Sequence, residues 1–497
     1  MSIIYHSTRS KEISLSASEA ILQGLSPDGG LFVPDRIPAL PKSLDELKEL
    51  DYRELAFEIM SLFFDDFTKE ELSGCIERAY DSKFDDPKIA PIAKVGDVYY
   101  LELFHGATIA FKDMALSILP HLMTTAAKKH KIKDEIVILT ATSGDTGKAA
   151  LAGFSDVPGT RIIVFYPKDG VSRVQELQMI TQKGDNTAVV GIRGNFDDAQ
   201  TGVKAMFHDE ELLKELSDKG FRFSSANSIN IGRLVPQIVY YIYAYCTLLK
   251  EGEISAGEKV NFTVPTGNFG NILAAYYAGR MGLPVGKLIC ASNENKVLYD
   301  FFQTGTYDRN REFFLTSSPS MDILISSNLE RLIHVITGED PDAVRKLMEE
   351  LSSKGSYTVT PAMREKLGLF YGGYASEEEC AEEIRRVFED TSYVLDPHTA
   401  VASSVLRSYR KETGDNTPTV IASTASPYKF TKNVMKAMGE DCEDKDDFEL
   451  MEELSRKSLI PVPDAVRGLK DAPIRHTRVC DRDAMRAEVG DILGLSR

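Results

Sequence analysis

One layout recurs along this chain and restricts its fold: a short run of β-branched residues, a loop of small residues, then a helix-like stretch. ILTATSGDTGKAALAGF (138–154) and VPTGNFGNILAAYYAG (264–279) both follow it. Further β-rich runs stand at EIVILTAT (135–142), RIIVFYP (161–167), NTAVVGI (186–192), VNFTVPT (260–266), KLICAS (287–292) and PTVIAST (418–424). Their Val and Ile content is continuous rather than alternating, which suits strands buried on both faces. Amphipathic stretches such as GVSRVQELQMITQKG lie between several of them. This alternation predicts an α/β fold with parallel sheets covered by helices. With 497 residues the chain is too long for one ordinary core, so two or three domains are expected.

The remaining segments read differently. SLDELKELDYRELAFEIMSLFF (43–64) and TKEELSGCIERAY (68–80) carry apolar residues at helical spacing, so the first ninety or so residues are expected to be helical. DSKFDDPKIAPIAKVGD mixes charge, proline and glycine and reads as a connection to the main body. The span 325–390 is mostly charged and helical in pattern, and the tail beyond about 440 is expected to pack as helices and loops on the surface.

Five segments carry candidate chemistry. In HGATIAFKDMA (105–115), Lys112 stands alone in an otherwise uncharged run between His105 and Asp113. Burial would favour its neutral amine, which can form a Schiff base with a carbonyl; an ordinary snorkelling lysine is the plainer reading of this residue alone. Gly267, Asn268, Phe269, Gly270 and Asn271 place loop glycines and a helix start together, which makes a phosphate cradle without a GK[ST] ending or a GxGxxG fingerprint. Ser143, Asp145 and Thr146 offer polar groups at a second helix start, where Asp145 serves equally well as a plain cap. In SSANSINIGRL (224–234), Ser228 and Arg233 are an oxyanion pair or a surface arginine beside a serine. In IASTASPYKF (421–430), Thr424 ends a strand, where parallel sheets bind ligands.

Composition narrows the classes. The formal net charge of −17 argues against a nucleic-acid partner, although a small site can still be locally positive. No apolar run is long enough to span a bilayer, and MSIIYHSTRSKEISL lacks the apolar core of a signal peptide, so a cytoplasmic protein with no membrane partner is expected. Six scattered cysteines without a CxxC pair, and histidines without ligand spacing, give no metal site and no disulfide framework.

In their order along the chain, these motifs resemble the fold type II pyridoxal phosphate (PLP) enzymes, the tryptophan synthase β-like group, and within it the threonine synthases. GLSPDGGLFVP (24–34), FHGATIAFKD, TATSGDTGKAA, SANSINIGRL, VPTGNFGN and LDPHTAVA (395–402) all read like segments of that family, and the likeness runs from about residue 5 to 435. The resemblance implies a helical N-terminal domain over 1–95 and a PLP-dependent catalytic region over 96–435. That region would hold two α/β subdomains, the smaller roughly 115–200. An extension, 436–497, would pack on it. It implies that Lys112 holds PLP, that residues 267–271 bind the cofactor phosphate, that Thr424 meets the pyridine nitrogen and that Asp145 lies on the side of the phenolic oxygen. Ser143 and Thr146 would then face the substrate, and Ser228 and Arg233 would hold its phosphate. The implied reaction converts O-phospho-L-homoserine and water to L-threonine and phosphate, in a monomer or homodimer. The alternatives are a PLP-dependent phospho-lyase or serine/threonine dehydratase giving 2-oxobutyrate, and a non-catalytic PLP-binding protein.

Overall fold

The continuous apolar runs become the interior strands of two sheets. The structure, a computed structural model, describes residues 2–142 and 144–495. The larger sheet has six strands in the order Phe370–Tyr374, Val285–Ser292, Val260–Pro265, Thr419–Ser423, Val98–Glu102 and Ile92–Val95. Its pairs are parallel except for the edge hairpin of Ile92–Val95 with Val98–Glu102. Val260–Pro265 and Thr419–Ser423, side by side at its centre, are buried at every residue, as strands covered on both faces must be. The long helix Ile231–Lys250 and the helices Gly270–Arg280 and Pro397–Thr413 are among those that cover it.

The smaller sheet is parallel throughout, in the order Arg478–Asp481, Thr187–Arg193, Thr160–Pro167, Glu135–Ala141 and Phe221–Ser224. It reaches past the 115–200 span expected for the smaller subdomain at both edges. Phe221–Ser224 is short and half polar, so it lacks the Val/Ile signature of a buried strand. Arg478–Asp481 comes from the tail expected to lie on the surface. It pairs with Thr187–Arg193, and Cys480, Met485, Val489 and Leu493 bury themselves in a core under the sheet. A sheet edge left bare would expose unpaired backbone groups, and the tail satisfies them.

The N-terminal part is helical where its pattern says so, but 43–64 is split into Leu44–Leu47 and Tyr52–Phe63, each opened by a capping box at Ser43 and Asp51. It also carries a three-stranded antiparallel sheet, Ser10–Leu15, Tyr5–Ser7 and Phe32–Pro34, which helical spacing does not reveal. Arg331 ties this sheet to the body through Phe32 O (3.0 Å) and Ile229 O (2.6 Å). Among the described residues no helix is long and apolar enough to cross a membrane, and no group of His, Cys, Asp or Glu is placed to hold a metal ion.

Both sheets direct the carboxyl ends of their strands toward the same residues. Val260–Pro265 runs into the GNFGN loop, Thr419–Ser423 into Thr424, and Glu135–Ala141 into the SGDTG loop.

Candidate active site

Lys112 is positioned by a turn that closes on itself. Asp113 accepts from Thr108 N (2.8 Å) and Thr108 Oγ1 (2.7 Å), and Gly106 is required because a Cβ there would stand 2.5 Å from Asp113 Cβ. The turn is then stitched to the end of a central strand: Phe111 N–H donates to Thr424 O (2.8 Å) and Ser426 N–H to Ile109 O (3.0 Å). These bonds carry Lys112 to Thr424. His105, which opens the segment, sits between Asp85 (2.6 Å) and Glu102 (2.9 Å). Burial disfavours its charge, but the two carboxylates outweigh this and lift it to about 9.

The Lys112 amine faces a buried polar cluster. Nζ donates to Ser320 Oγ (2.8 Å) and lies 3.6 Å from Asp145 Oδ2. Ser320 Oγ in turn donates to Asp145 Oδ2 (2.8 Å). The other carboxylate oxygen, Oδ1, meets Lys429 Nζ (3.2 Å) and accepts from Gln175 Nε2 (3.0 Å). Burial pushes the Lys112 ammonium down, and the positive charges of Lys429 and Arg233 add to this against the opposing pull of Asp145. Burial alone would raise the Asp145 carboxyl. Lys429 and Lys112 outweigh it, helped by the Ser320 hydroxyl, and hold the group well below the usual carboxylate range. One firm anion therefore lies between two lysines, and burial inclines Lys112 to lose its proton.

The GNFGN loop passes close behind Ser320. A Cβ on Gly267 would stand 2.5 Å from Ser320 O, so only glycine permits the approach. Phe269 adopts φ 64°, an uncommon left-handed conformation for a bulky residue. It is held there by ring packing on Phe302 (6.2 Å) and Phe370 (5.8 Å). Its side chain belongs to the core, which leaves only its backbone to face a ligand. The Asn271 side chain is likewise engaged at Oδ1 by the Tyr240 and Tyr241 hydroxyls (2.6 and 2.5 Å), while its buried Nδ2 has no partner. Among the described residues no acceptor meets the backbone N–H groups of residues 267–271. A loop with open donors at the start of Gly270–Arg280 suits a phosphate, and the lysine suits a carbonyl, so these residues fit pyridoxal phosphate.

Arg233 gives the site a second anion-binding group. It is buried near the start of Ile231–Lys250 and donates from Nη1 to Ala226 O (3.0 Å), while its Nε has no acceptor. No carboxylate pairs with it among the described residues, and burial pushes it down to about 10. The equally buried Arg331 makes an instructive contrast. It has no close carboxylate either, yet its Nε, Nη1 and Nη2 donate to Phe32 O, Asn328 Oδ1 and Ile229 O. Arg331 is complete as it stands, whereas Arg233 retains an unmet donor.

The expected residues are thus only partly gathered. Lys112, Asp145, Gly267 and Thr424 lie around one cluster, and Arg233 is near enough to weigh on Lys112. Thr146 is half-buried in the first turn of Asp145–Phe154, and Ser228, also half-buried, is held at its carbonyl by Asn328 Nδ2 (3.3 Å). Ser143 lies outside the described residues. Sequence reasoning missed Ser320, Lys429, Gln175 and His398. Lys429 carried a usable signal, because it too is a single lysine in an uncharged run.

Comparison with known proteins bears on this arrangement. Three family models match in succession: Threonine synthase N terminus over residues 4–80, Pyridoxal-phosphate dependent enzyme over 87–425, and Threonine synthase, C-terminal over 399–489. Threonine synthase-like 1 of Homo sapiens is 42% identical over 438 residues, covering 85% of this chain. The chain spans only 58% of that relative's length. Threonine synthase of Schizosaccharomyces pombe is 36% identical over 88% of this chain and 89% of its own. The crystal structure of PLP-bound threonine synthase from Brucella melitensis superposes with a TM-score of 0.88 at 34% identity, covering 100% of both chains.

Proposed function

The chain belongs to the threonine synthase family, and we propose that it converts O-phospho-L-homoserine and water to L-threonine and phosphate. The observation that carries this reading is Arg233, a buried guanidinium with an unmet donor beside a lysine and a separate phosphate-type loop. A substrate with its own phosphate needs a second anion site, and a plain dehydratase does not.

Bound pyridoxal phosphate, the cofactor of the family, supplies an electron sink for carbanion chemistry. Lys112 would hold it through its amine. The backbone donors of Gly267, Asn268, Phe269, Gly270 and Asn271 would grip its phosphate, Thr424 would meet its ring nitrogen, and Asp145 would lie on its phenolic side. Ser228 and Arg233 would hold the substrate phosphate, and Thr146 and Ser143 would line the substrate. Once released by the substrate amine, Lys112 Nζ, inclined by burial toward its neutral form, would take the proton from the substrate's Cα. Asp145, firmly ionised, would serve as a fixed negative charge and not as an acid. We assign the N-terminal domain to 1–95, the catalytic region to 96–435 and the extension to 436–497.

Purified protein given phosphohomoserine should release phosphate and threonine in equal amounts. Accumulation of 2-oxobutyrate instead would favour the dehydratase, and no phosphate release would overturn both. Lys112→Ala should lose the cofactor–lysine absorbance and all measurable turnover. Arg233→Ala should raise KM for phosphohomoserine by about tenfold or more, as expected when a charged hydrogen bond worth ~1.5–3 kcal/mol is removed; an unchanged KM would remove the assignment.

A further inference from the structure

Ser320 lies at the tip of the long connection between Thr306–Asp308 and Leu329–Ile336, in the one-turn helix Pro319–Met321. The connection is folded by its own polar hub. Asp322 Oδ1 accepts from Asn293 Nδ2 (2.8 Å), Asn295 Nδ2 (2.9 Å) and Thr316 Oγ1 (2.7 Å), and Oδ2 accepts from Thr316 N–H (3.0 Å). The tip is fixed separately. Ser320 N–H donates to His398 Nε2 (3.2 Å), whose Nδ1 faces Asp396 Oδ1 (2.8 Å), so the ring proton is on Nδ1 and Nε2 is free to accept. Ser320 O in turn lies against Gly267.

This placement matters because a hydroxyl has one proton. Asp145, held ionised by Lys429, can only accept, so the Ser320 proton points to Asp145 Oδ2. Ser320 Oγ is then restricted to accepting from Lys112 Nζ. A hydroxyl free to rotate could donate to the neutral amine and occupy its lone pair; this one cannot.

We propose that Ser320 is a further positioning residue of the reaction, holding Lys112 by one N–H so that the amine lone pair stays available to the substrate. The inference rests on the proposed reading of Lys112 as the proton acceptor. The hydroxyl makes no bond to carbon and no proton leaves it.

The test compares Ser320→Ala with Ser320→Thr in the full-length holoenzyme. Misplacing a reacting group by about 1 Å can lower a rate by ~10²-fold, so Ser320→Ala should lose about tenfold to a hundredfold in kcat with KM little changed. Removing an acceptor of the protonated amine should also move the acid limb of the kcat–pH profile to lower pH. The pH midpoint of the cofactor–lysine absorbance should move the same way, a readout that does not need turnover. Ser320→Thr keeps the hydroxyl and should recover most of kcat and the original midpoint. An unshifted midpoint with wild-type kcat in Ser320→Ala would overturn the proposal. Equal impairment of both variants would also overturn it, because it would mean the turn is needed only for packing. If the wild-type protein does not use phosphohomoserine, the reaction assignment fails, while the absorbance titration still decides the role of Ser320.

Discussion

The two strand–loop–helix units begin identically and end as opposites. Thr142 N–H donates to Phe165 O (3.0 Å) on the neighbouring strand, and Thr266 N–H donates to Ala291 O (2.9 Å) in the same way. From there the SGDTG unit supplies its own anion: Asp145 occupies the first helical position and draws in Lys112, Lys429, Ser320 and Gln175. The GNFGN unit turns the Phe269 ring and the Asn271 side-chain Oδ1 into the core and leaves its backbone donors open. A helix start favours negative charge in both cases. The chain satisfies that preference internally in one unit and leaves it for a phosphate in the other. The lesson is that the layout predicts a place for an anion, while the residue in the first turn decides whose anion it is.

The sharpest way to break this contrast is Asp145→Asn, which removes the internal anion and keeps the shape. Lys112 and Lys429 would lose their common partner inside the protein. Breaking a buried charge pair costs about 3–5 kcal/mol, so a large drop in the urea midpoint is expected. The pH dependence follows with its sign. A carboxyl whose folded pKa lies below its unfolded value of ~3.9 contributes stability that is complete above that value. The contribution is lost as pH falls toward the folded pKa, which Lys429 and Lys112 hold down against burial. The wild-type melting temperature should therefore fall more steeply than that of Asp145→Asn below about pH 4. Parallel curves would show that Asp145 is not the group that sustains the cluster.

Gly267→Ala probes the other unit. The added Cβ would meet Ser320 O at 2.5 Å, against backbone rather than a flexible side chain. Overpacking of this kind costs about 1–3 kcal/mol. The loop and the Ser320 turn must separate, so cofactor affinity, read by equilibrium dialysis, should fall along with stability. Retained affinity with normal stability would mean that the loop is not the cradle.

Much of this was readable before the structure. The central strands announce themselves because burial on both faces demands unbroken apolar runs, and the loops that follow them mark the ligand end of a parallel sheet. What escaped had physical causes. Phe221–Ser224 and Arg478–Asp481 are edge strands, where one side needs no apolar partner and the pattern weakens. Ser320 is 208 residues from Lys112 in a connection without periodicity, so nothing local signals the contact. His398 lies in LDPHTAVA and Lys429 in IASTASPYKF, both singled out as motifs, but their roles arise only when the cluster assembles. Lys429 meets the criterion that drew attention to Lys112; judged by local sequence alone the two are alike, and it is Asp145 Oδ1 (3.2 Å) together with Thr108 O (3.0 Å) that ties Lys429 into a structural role and leaves Lys112 the freer amine.

The smallest expected effect compares the two threonines that start the loops. The Thr142 hydroxyl accepts from Gly144 N–H and Gly147 N–H, both at 3.0 Å, and so caps its own helix from the preceding residues. The Thr266 hydroxyl donates to Val264 O (2.7 Å) in its own strand and leaves the loop donors alone. Substitution by valine keeps the shape and removes only the oxygen. Thr142→Val strands two helix-start donors and should cost about 1–2 kcal/mol, the usual loss for a cap. In Thr266→Val the Val264 carbonyl loses one neutral hydrogen bond, so a cost of about 0.5–1 kcal/mol is expected. Chemical denaturation of the two variants measures the difference directly. If Thr266→Val proved the more damaging, the GNFGN loop would be relying on a side-chain cap after all, and the claim that its donors are held open for a ligand would fail.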